Sequence, residues 1–88
     1  MISDIVLTGF LKDIFHEKYR IVETKTSDVF KPTEDYVSQI PVLYWTREAS
    51  NPLNRADNDT FVIIRGHLES NNEFGLYVLA ENVQFLKV

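Results

Sequence analysis

The sequence has no cysteine, three glycines, three prolines and a single tryptophan among its 88 residues. Disulfides are therefore excluded. The two histidines, His16 and His67, each lack a second ligand at a useful spacing, so we expect no metal and no other cofactor. No apolar run is long enough to span a membrane, and the first residues lack a basic leader, so we expect a cytoplasmic protein.

Positive charge is also scarce, since nine Lys and Arg face thirteen Asp and Glu and the formal net charge is −4. This balance excludes a protein whose whole surface attracts phosphates, although a local basic groove remains compatible with it. Of the nine basic residues, only Lys87 follows Gly66. The last hairpin is therefore expected to be acidic, through Glu69 and Glu73, and a phosphate path should avoid it.

Catalytic motifs are missing as well. The chain has no glycine-rich phosphate loop and no nucleophile elbow around Ser50 or Ser70, so we expect a protein that is not an enzyme and has no small-molecule substrate. With 44% hydrophobic residues, the length predicts one domain over residues 1–88, near the lower size for a single core. Because open strand edges often pair with another copy, we expect a homo-oligomer.

Five segments have the alternation or the β-branched content of strands. They cover residues 5–11, 19–26, 40–45, 60–70 and 76–88. Gly9 lies inside the first and predicts a bulge or bend, or alternatively close packing. The segment 27–39 has no clear period and predicts a long loop or an extension of a hairpin.

A short helix is predicted between the third and fourth strands. Asn51 followed by Pro52 is typical of an N-cap with proline in the first turn, which indicates a helix near 52–57. Five strands with a helix at this place predict an all-β fold, the five-stranded Greek-key OB-fold barrel.

Four stretches resemble the bacterial and phage single-stranded DNA-binding proteins. They are VLTGFL (6–11), WTREASN (45–51), GHL (66–68) and VQFL (83–86). The resemblance implies an OB-fold that forms a homodimer or homotetramer and binds single-stranded DNA. The sequence departs from the family at His67, where the family has arginine, and in lacking the acidic tail beyond Val88.

Trp45 is the principal candidate for binding. By resemblance it stands where the family has a base-stacking aromatic residue, and Arg47 would contact a phosphate from the same face if the strand continues. The alternative is that Trp45 is a core or interface residue whose indole N–H is bonded internally. Tyr44 alternates away from Trp45, so only one of the two should be exposed.

Other residues could extend this site. The phosphate path would continue through Lys12, Arg20, Lys25 and Lys31, and further bases would stack on the loop residues Phe30, Tyr36 and Phe74. The alternative for each cation is a solvated surface charge, and for each aromatic residue a contact that fixes its loop to the barrel.

The sequence is compatible with two functions. The first is non-enzymatic binding of single-stranded DNA, with RNA left open, in replication, recombination or mobile-element DNA processing. It predicts binding to oligo-dT that weakens steeply with salt and quenches Trp45 fluorescence. The second is an OB-fold that has lost its nucleic acid and serves as a protein-interaction or assembly module.

Overall fold

Five strands and one short helix follow one another in the predicted order. The computed structural model describes residues 4–27 and 35–86, and the side chains of residues 25–27, 35 and 36 lie outside that description. The elements are β1 (Ile5–Phe15), β2 (Tyr19–Ser27), β3 (Asp35–Tyr44), α1 (Pro52–Arg55), β4 (Phe61–Asn71) and β5 (Gly75–Leu86).

The strands close into a barrel with the order β1-β2-β3-β5-β4. All neighbouring pairs are antiparallel except β3 and β5, which are parallel over Val42–Tyr44 and Val78–Ala80. This topology and the place of α1 are those of the five-stranded OB-fold barrel. The predicted fold class is confirmed.

Alternate residues of the strands form the core. The buried cluster inside the barrel comprises Leu7, Leu11, Val22, Val42, Leu53, Val62, Ile64, Val78 and Ala80. Leu53 comes from α1 and seals the barrel from one end. Because strand side chains alternate between two faces, the intervening residues point away from this core, and their exposure decides what the outside of the barrel can bind.

β3 begins earlier than the sequence indicates. Its first residues pair with β2 from Ser27↔Asp35 to Glu23↔Gln39, so of the two predicted alternatives the extension of a hairpin is confirmed for residues 35–39. β3 pairs with β5 only from Val42 onward, which leaves this part of the hairpin as a two-stranded ribbon. A ribbon has no buried face, and its residues therefore lack a hydrophobic period.

Gly9 does not mark the irregularity of β1. The register between β1 and β2 shifts between Leu11 and Ile14. A Cβ added at Gly9 would lie 2.3 Å from the carbonyl oxygen of Glu23, which is closer than any real contact. The prediction of a bulge at Gly9 is therefore wrong, and the alternative of close packing is correct.

The helix α1 has the predicted cap. The side chain of Asn51 accepts a hydrogen bond of 2.8 Å from the N–H of Asn54, and Pro52 occupies the first turn. This arrangement satisfies one N–H that a helix start leaves without a partner. The helix ends at Arg55, two residues before the predicted end.

Candidate nucleic-acid interface

Two tight turns meet at one end of the barrel. In the β1–β2 turn, His16 and Glu17 have positive φ angles of 48° and 68°. In the β4–β5 turn, Asn71 accepts a hydrogen bond from the N–H of Glu73 at 2.7 Å, and Gly75 has a φ of 98°. In each turn these conformations reverse the direction of the backbone within a few residues, and the two turns lie side by side.

Aromatic side chains join the two turns in what we name the turn cluster. Its members are Phe15, His16, Tyr19, Phe74 and Tyr77. The ring of Phe74 lies 5.0 Å from Phe15, 5.0 Å from His16 and 4.9 Å from Tyr19, measured between centroids. Such edge-to-face contacts fix the turns relative to each other.

The turn cluster has a buried base and an accessible rim. Tyr19 and Tyr77 are buried together with Leu43 and Leu79 on the outer side of the sheet. His16 is exposed, and Phe15 and Phe74 are half-buried. OB-folds bind oligonucleotides and oligosaccharides on the face of strands 2 and 3 and on these same two turns, so the rim stands where this fold places ligands.

Trp45 directly follows β3, and its side chain is 56% exposed. Its ring centroid lies 5.8 Å from that of Tyr44, which is half-buried and packs against the core. The predicted difference in exposure is confirmed, but it does not come from alternation, because Trp45 lies beyond the end of β3. The alternative that Trp45 belongs to the core is wrong, and a place in an interface stays a prediction. An exposed indole presents a flat apolar surface to solvent.

Arg47 does not extend the face of β3. The strand ends at Tyr44, and Arg47 adopts a left-handed φ of 62° while its N–H bonds the carbonyl oxygen of Tyr44 at 2.8 Å. The expectation that Arg47 follows Trp45 on a continued strand is therefore wrong. Its guanidinium instead donates to Glu69 at 2.9 and 3.0 Å, and to the hydroxyl of Tyr77 at 3.5 Å.

This pairing changes the acid–base properties of both groups. The hydrogen bond from Arg47 lowers the pKa of the Glu69 carboxyl, and the same bond raises the pKa of Arg47. Burial raises the pKa of Tyr77. At neutral pH, Arg47 and Glu69 are therefore both charged and neutralise each other at the edge of the turn cluster.

Arg20 lies inside the protein, with 2% of its surface exposed. It donates hydrogen bonds to four backbone carbonyl groups and to the side chain of Asn58. The carbonyl groups belong to Lys12, Leu53, Asn54 and Ala56. Burial lowers its pKa, although Asp13 and Asp57 act in the opposite direction. The prediction that Arg20 contacts phosphate is wrong, because its donors are used to hold α1 and the following loop.

The other predicted site residues are spread over several places. Lys12 pairs with Asp59 beside the α1–β4 loop, away from Trp45. Phe74 lies in the turn cluster. Lys25 and Tyr36 are described by their backbone alone, as partners in the β2–β3 ribbon. Phe30 and Lys31 lie outside the described residues. Of the predicted residues, Arg47 and Phe74 both contact Tyr77, and Trp45 follows the end of β3, where Leu43 pairs with Tyr19.

Sequence reasoning missed most of the turn cluster, namely Phe15, Tyr19 and Tyr77, and it considered His16 only as a metal ligand. It also missed Lys18, which is exposed in the β1–β2 turn between these aromatic residues. The side chain of Lys18 makes no ion pair with any described residue. The available signal was the closeness of three rings and a lysine in the stretch 15–19, next to a predicted turn.

Carboxylates surround the turn cluster more closely than cations do. Glu73 lies 3.6 Å from Nδ1 of His16. His67 contacts Glu81 through Nδ1 and lies 3.9 Å from Glu69 through Nε2. The expected acidity of the last hairpin is therefore present beside the aromatic site, and it limits the number of phosphates that this site can neutralise.

A cleft of about 750 Å³ lies at the opposite end of β4, beside the α1–β4 loop. Its lining includes the aromatic residues Phe61 and Phe85. The charged residues of the lining are two aspartates, Asp57 and Asp59, and one cation, Arg55. This balance disfavours a polyanion. In the described ranges, no three His, Asp or Glu side chains are grouped so that they could hold a metal ion. None of the described helices has the length and apolar character to cross a bilayer.

Comparison with known proteins supports the fold and goes no further. No family model and no curated sequence matches the chain. Among solved structures, OBody NL8, bound to hen egg-white lysozyme, has a TM-score of 0.56 and 19% identity, with 98% of this chain and 96% of that chain covered. The N-terminal domain of the PriB protein from Thermoanaerobacter tencongensis, solved as a dimer, has a TM-score of 0.55 and 17% identity, with 97% of each chain covered. Membership of the single-stranded DNA-binding family stays a prediction.

Proposed function

We propose that this protein binds single-stranded nucleic acid, without catalysis, by stacking bases on Trp45 and on the rim of the turn cluster. The observation that carries the proposal is the exposed ring of Trp45, which directly follows the end of β3, where Leu43 pairs with Tyr19 of the turn cluster. Aromatic faces accept any base, so the binding tolerates different sequences.

Stacking supplies most of the affinity in this proposal. Each stacked base contributes about 1–3 kcal/mol, and the accessible rings offer room for a few bases. Among the described side chains, phosphate contacts are expected from Lys18 and Arg47, because Lys12 and Arg65 are engaged with Asp59 and Asp4 and Arg55 lines the cleft at the opposite end of β4. Neutralising one or two phosphates gives a slope of log K against log salt of about −0.7 to −1.4. This dependence is shallower than the steep one that the sequence suggested.

The proposal includes association with a second copy of the chain. β1 pairs with β4 over Ile5–Phe10 but with β2 only from Phe10 onward. One edge of residues 5–9 therefore has no strand beside it among the described residues, and Val6 is 66% exposed there. An unpaired apolar edge favours pairing with another strand.

The direct test is a titration of end-labelled dT oligomers, followed by anisotropy and by the fluorescence of Trp45, the single tryptophan. We expect saturable binding at low salt with quenching of the indole. Trp45→Ala should weaken binding about 5- to 150-fold, which corresponds to one stacked base.

The matched control is Phe10→Ala, which removes another exposed aromatic ring, 46% accessible, on the outer face of β1. Its affinity should stay within about twofold of the unaltered protein, since each base contact counted above lies elsewhere. If the unaltered protein shows no binding at low salt, or if both variants lose the same affinity, the proposal is wrong. The assembly-module alternative would then account better for the exposed apolar surface.

A further inference from the structure

Arg47 and Glu69 form an ion pair beside Tyr77 of the turn cluster. Their side chains are 49% and 29% exposed. Both carboxylate oxygens of Glu69 accept from Arg47, and the one at 2.9 Å also accepts from the hydroxyl of Tyr77 at 3.3 Å. The guanidinium is therefore covered by an anion of its own chain, although solvent reaches both groups.

The backbone brings these two residues together. Glu69 lies directly opposite Tyr77 in the ladder between β4 and β5, which places its carboxyl on the outer side of the sheet. Arg47 is held by its left-handed turn immediately after β3. The pair is thus set by strand register and by a tight turn, and its cation lies two residues from Trp45.

A nucleic-acid phosphate and a carboxylate bind the same groups of an arginine side chain. The carboxylate and the tetrahedral phosphodiester each present two oxygen acceptors that a guanidinium can bind through parallel N–H groups. An exposed ion pair is weak, so a phosphate can replace the carboxylate at small cost. After replacement, Glu69 keeps the hydroxyl of Tyr77 and the neighbouring His67 as partners.

We propose that Glu69 is an internal competitor for the phosphate that Arg47 would otherwise bind. This inference rests on the proposed function, since it concerns how a single strand enters the same site. In the free protein the Glu69 carboxylate is bound to Arg47, and the phosphate of a bound strand displaces this carboxylate. Glu69 thereby lowers the affinity for the nucleic-acid backbone and leaves base stacking as the main source of binding.

The test compares Glu69→Gln with the unaltered protein in titrations of labelled dT oligomers over a series of salt concentrations. Glutamine keeps the shape of the side chain but holds arginine less strongly. We expect roughly a two- to fivefold rise in affinity. The salt slope should also steepen by up to about 0.7, because in the unaltered protein the displaced carboxylate takes up a cation and offsets the counterion release at one phosphate, whereas glutamine carries no charge.

Glu81→Gln is the matched control. It removes the same charge from the same hairpin and also changes the surroundings of His67, but Glu81 makes no contact with Arg47. We expect it to raise the affinity less and to leave the salt slope unchanged. A second control introduces Glu69→Gln into Arg47→Ala, where the substitution should have no effect on binding. Thermal unfolding of each variant establishes that it is folded at the assay temperature.

The outcomes separate this inference from the proposed function. If the unaltered protein binds but Glu69→Gln binds equally or more weakly, the competitor role is wrong while the binding function stands. The same conclusion follows if Glu81→Gln matches Glu69→Gln in both affinity and slope, or if Glu69→Gln still acts without Arg47. If none of the proteins binds dT oligomers at low salt, the proposed function is wrong, and the competitor role with it.

Discussion

Replacement of Arg20 by methionine should destabilise the fold strongly. The guanidinium lies inside the barrel wall and donates to the carbonyl oxygens of Leu53 and Asn54 at 3.1 and 3.2 Å, and to that of Ala56 at 2.8 Å. These carbonyls belong to the end of α1 and the residue after it, where a helix leaves its last acceptors without partners. Methionine fills a similar volume but offers no donor.

The expected loss follows from this geometry. One buried acceptor left without its partner costs about 1–3 kcal/mol, and several carbonyl groups lose the same donor here, so we expect a loss of about 3–5 kcal/mol. The free energy of unfolding of a domain of this length is about 4–13 kcal/mol. Arg20→Met should therefore remove a large share of it and lower the melting temperature by at least about 12 °C.

The assay is urea unfolding monitored by circular dichroism, with Arg55→Met as the control. Arg55 is exposed at the end of α1, so its replacement should change the free energy of unfolding by no more than about 0.5 kcal/mol. Arg20→Met should bind dT oligomers normally at a temperature where it is folded. A loss of stability below about 1 kcal/mol would refute the structural role. If folded Arg20→Met failed to bind dT oligomers, the original expectation that Arg20 contacts a phosphate would be supported instead.

Two further predictions concern association and pH. Val6→Lys should shift a self-associated protein to monomer in sedimentation velocity, because a lysine charges the open edge of β1; an unchanged sedimentation coefficient would contradict the proposed interface. Since Arg47 lowers the pKa of Glu69 in the folded state, this carboxyl stabilises the fold above its usual pKa and ceases to do so as the pH falls through the lowered value. The difference in melting temperature between the unaltered protein and Glu69→Gln should therefore shrink as the pH drops below about 4, and a constant difference would argue against the pairing.

Local sequence patterns were sufficient to predict the strands, the helix and their order. Alternation marked the strands, and Asn51 with Pro52 marked the start of α1 with its capping side chain. The difference in exposure between Tyr44 and Trp45 was also predicted, although Trp45 lies just beyond the end of β3 and its ring centroid is 5.8 Å from that of Tyr44. The segment 35–39 was left open between a loop and an extension of a hairpin, since it shows no hydrophobic period.

The role of each charged residue was not available from local patterns. Arg20 is a charged residue in an alternating strand, which is typical of a surface position, yet three of its carbonyl acceptors belong to residues more than thirty positions away along the chain. Arg47 was expected to lie free beside Trp45, but Glu69 covers it from β4. Lys12 meets Asp59 in the same manner. Each pairing depends on which loop or strand stands opposite, and spacing within one segment carries no such information.

The amino-acid sequence alone determined a five-stranded barrel with one capped helix and a tryptophan at the end of its third strand, because these follow from side-chain alternation and from hydrogen bonds a few residues apart, but it left open whether that indole is exposed. Only the tertiary structure decided which surfaces could act together. It joined Phe15 and His16 to Phe74 across two distant turns, buried Arg20 and placed Glu69 on Arg47. Those contacts arise from strand register in the closed barrel, which long-range pairing sets and local periodicity leaves open.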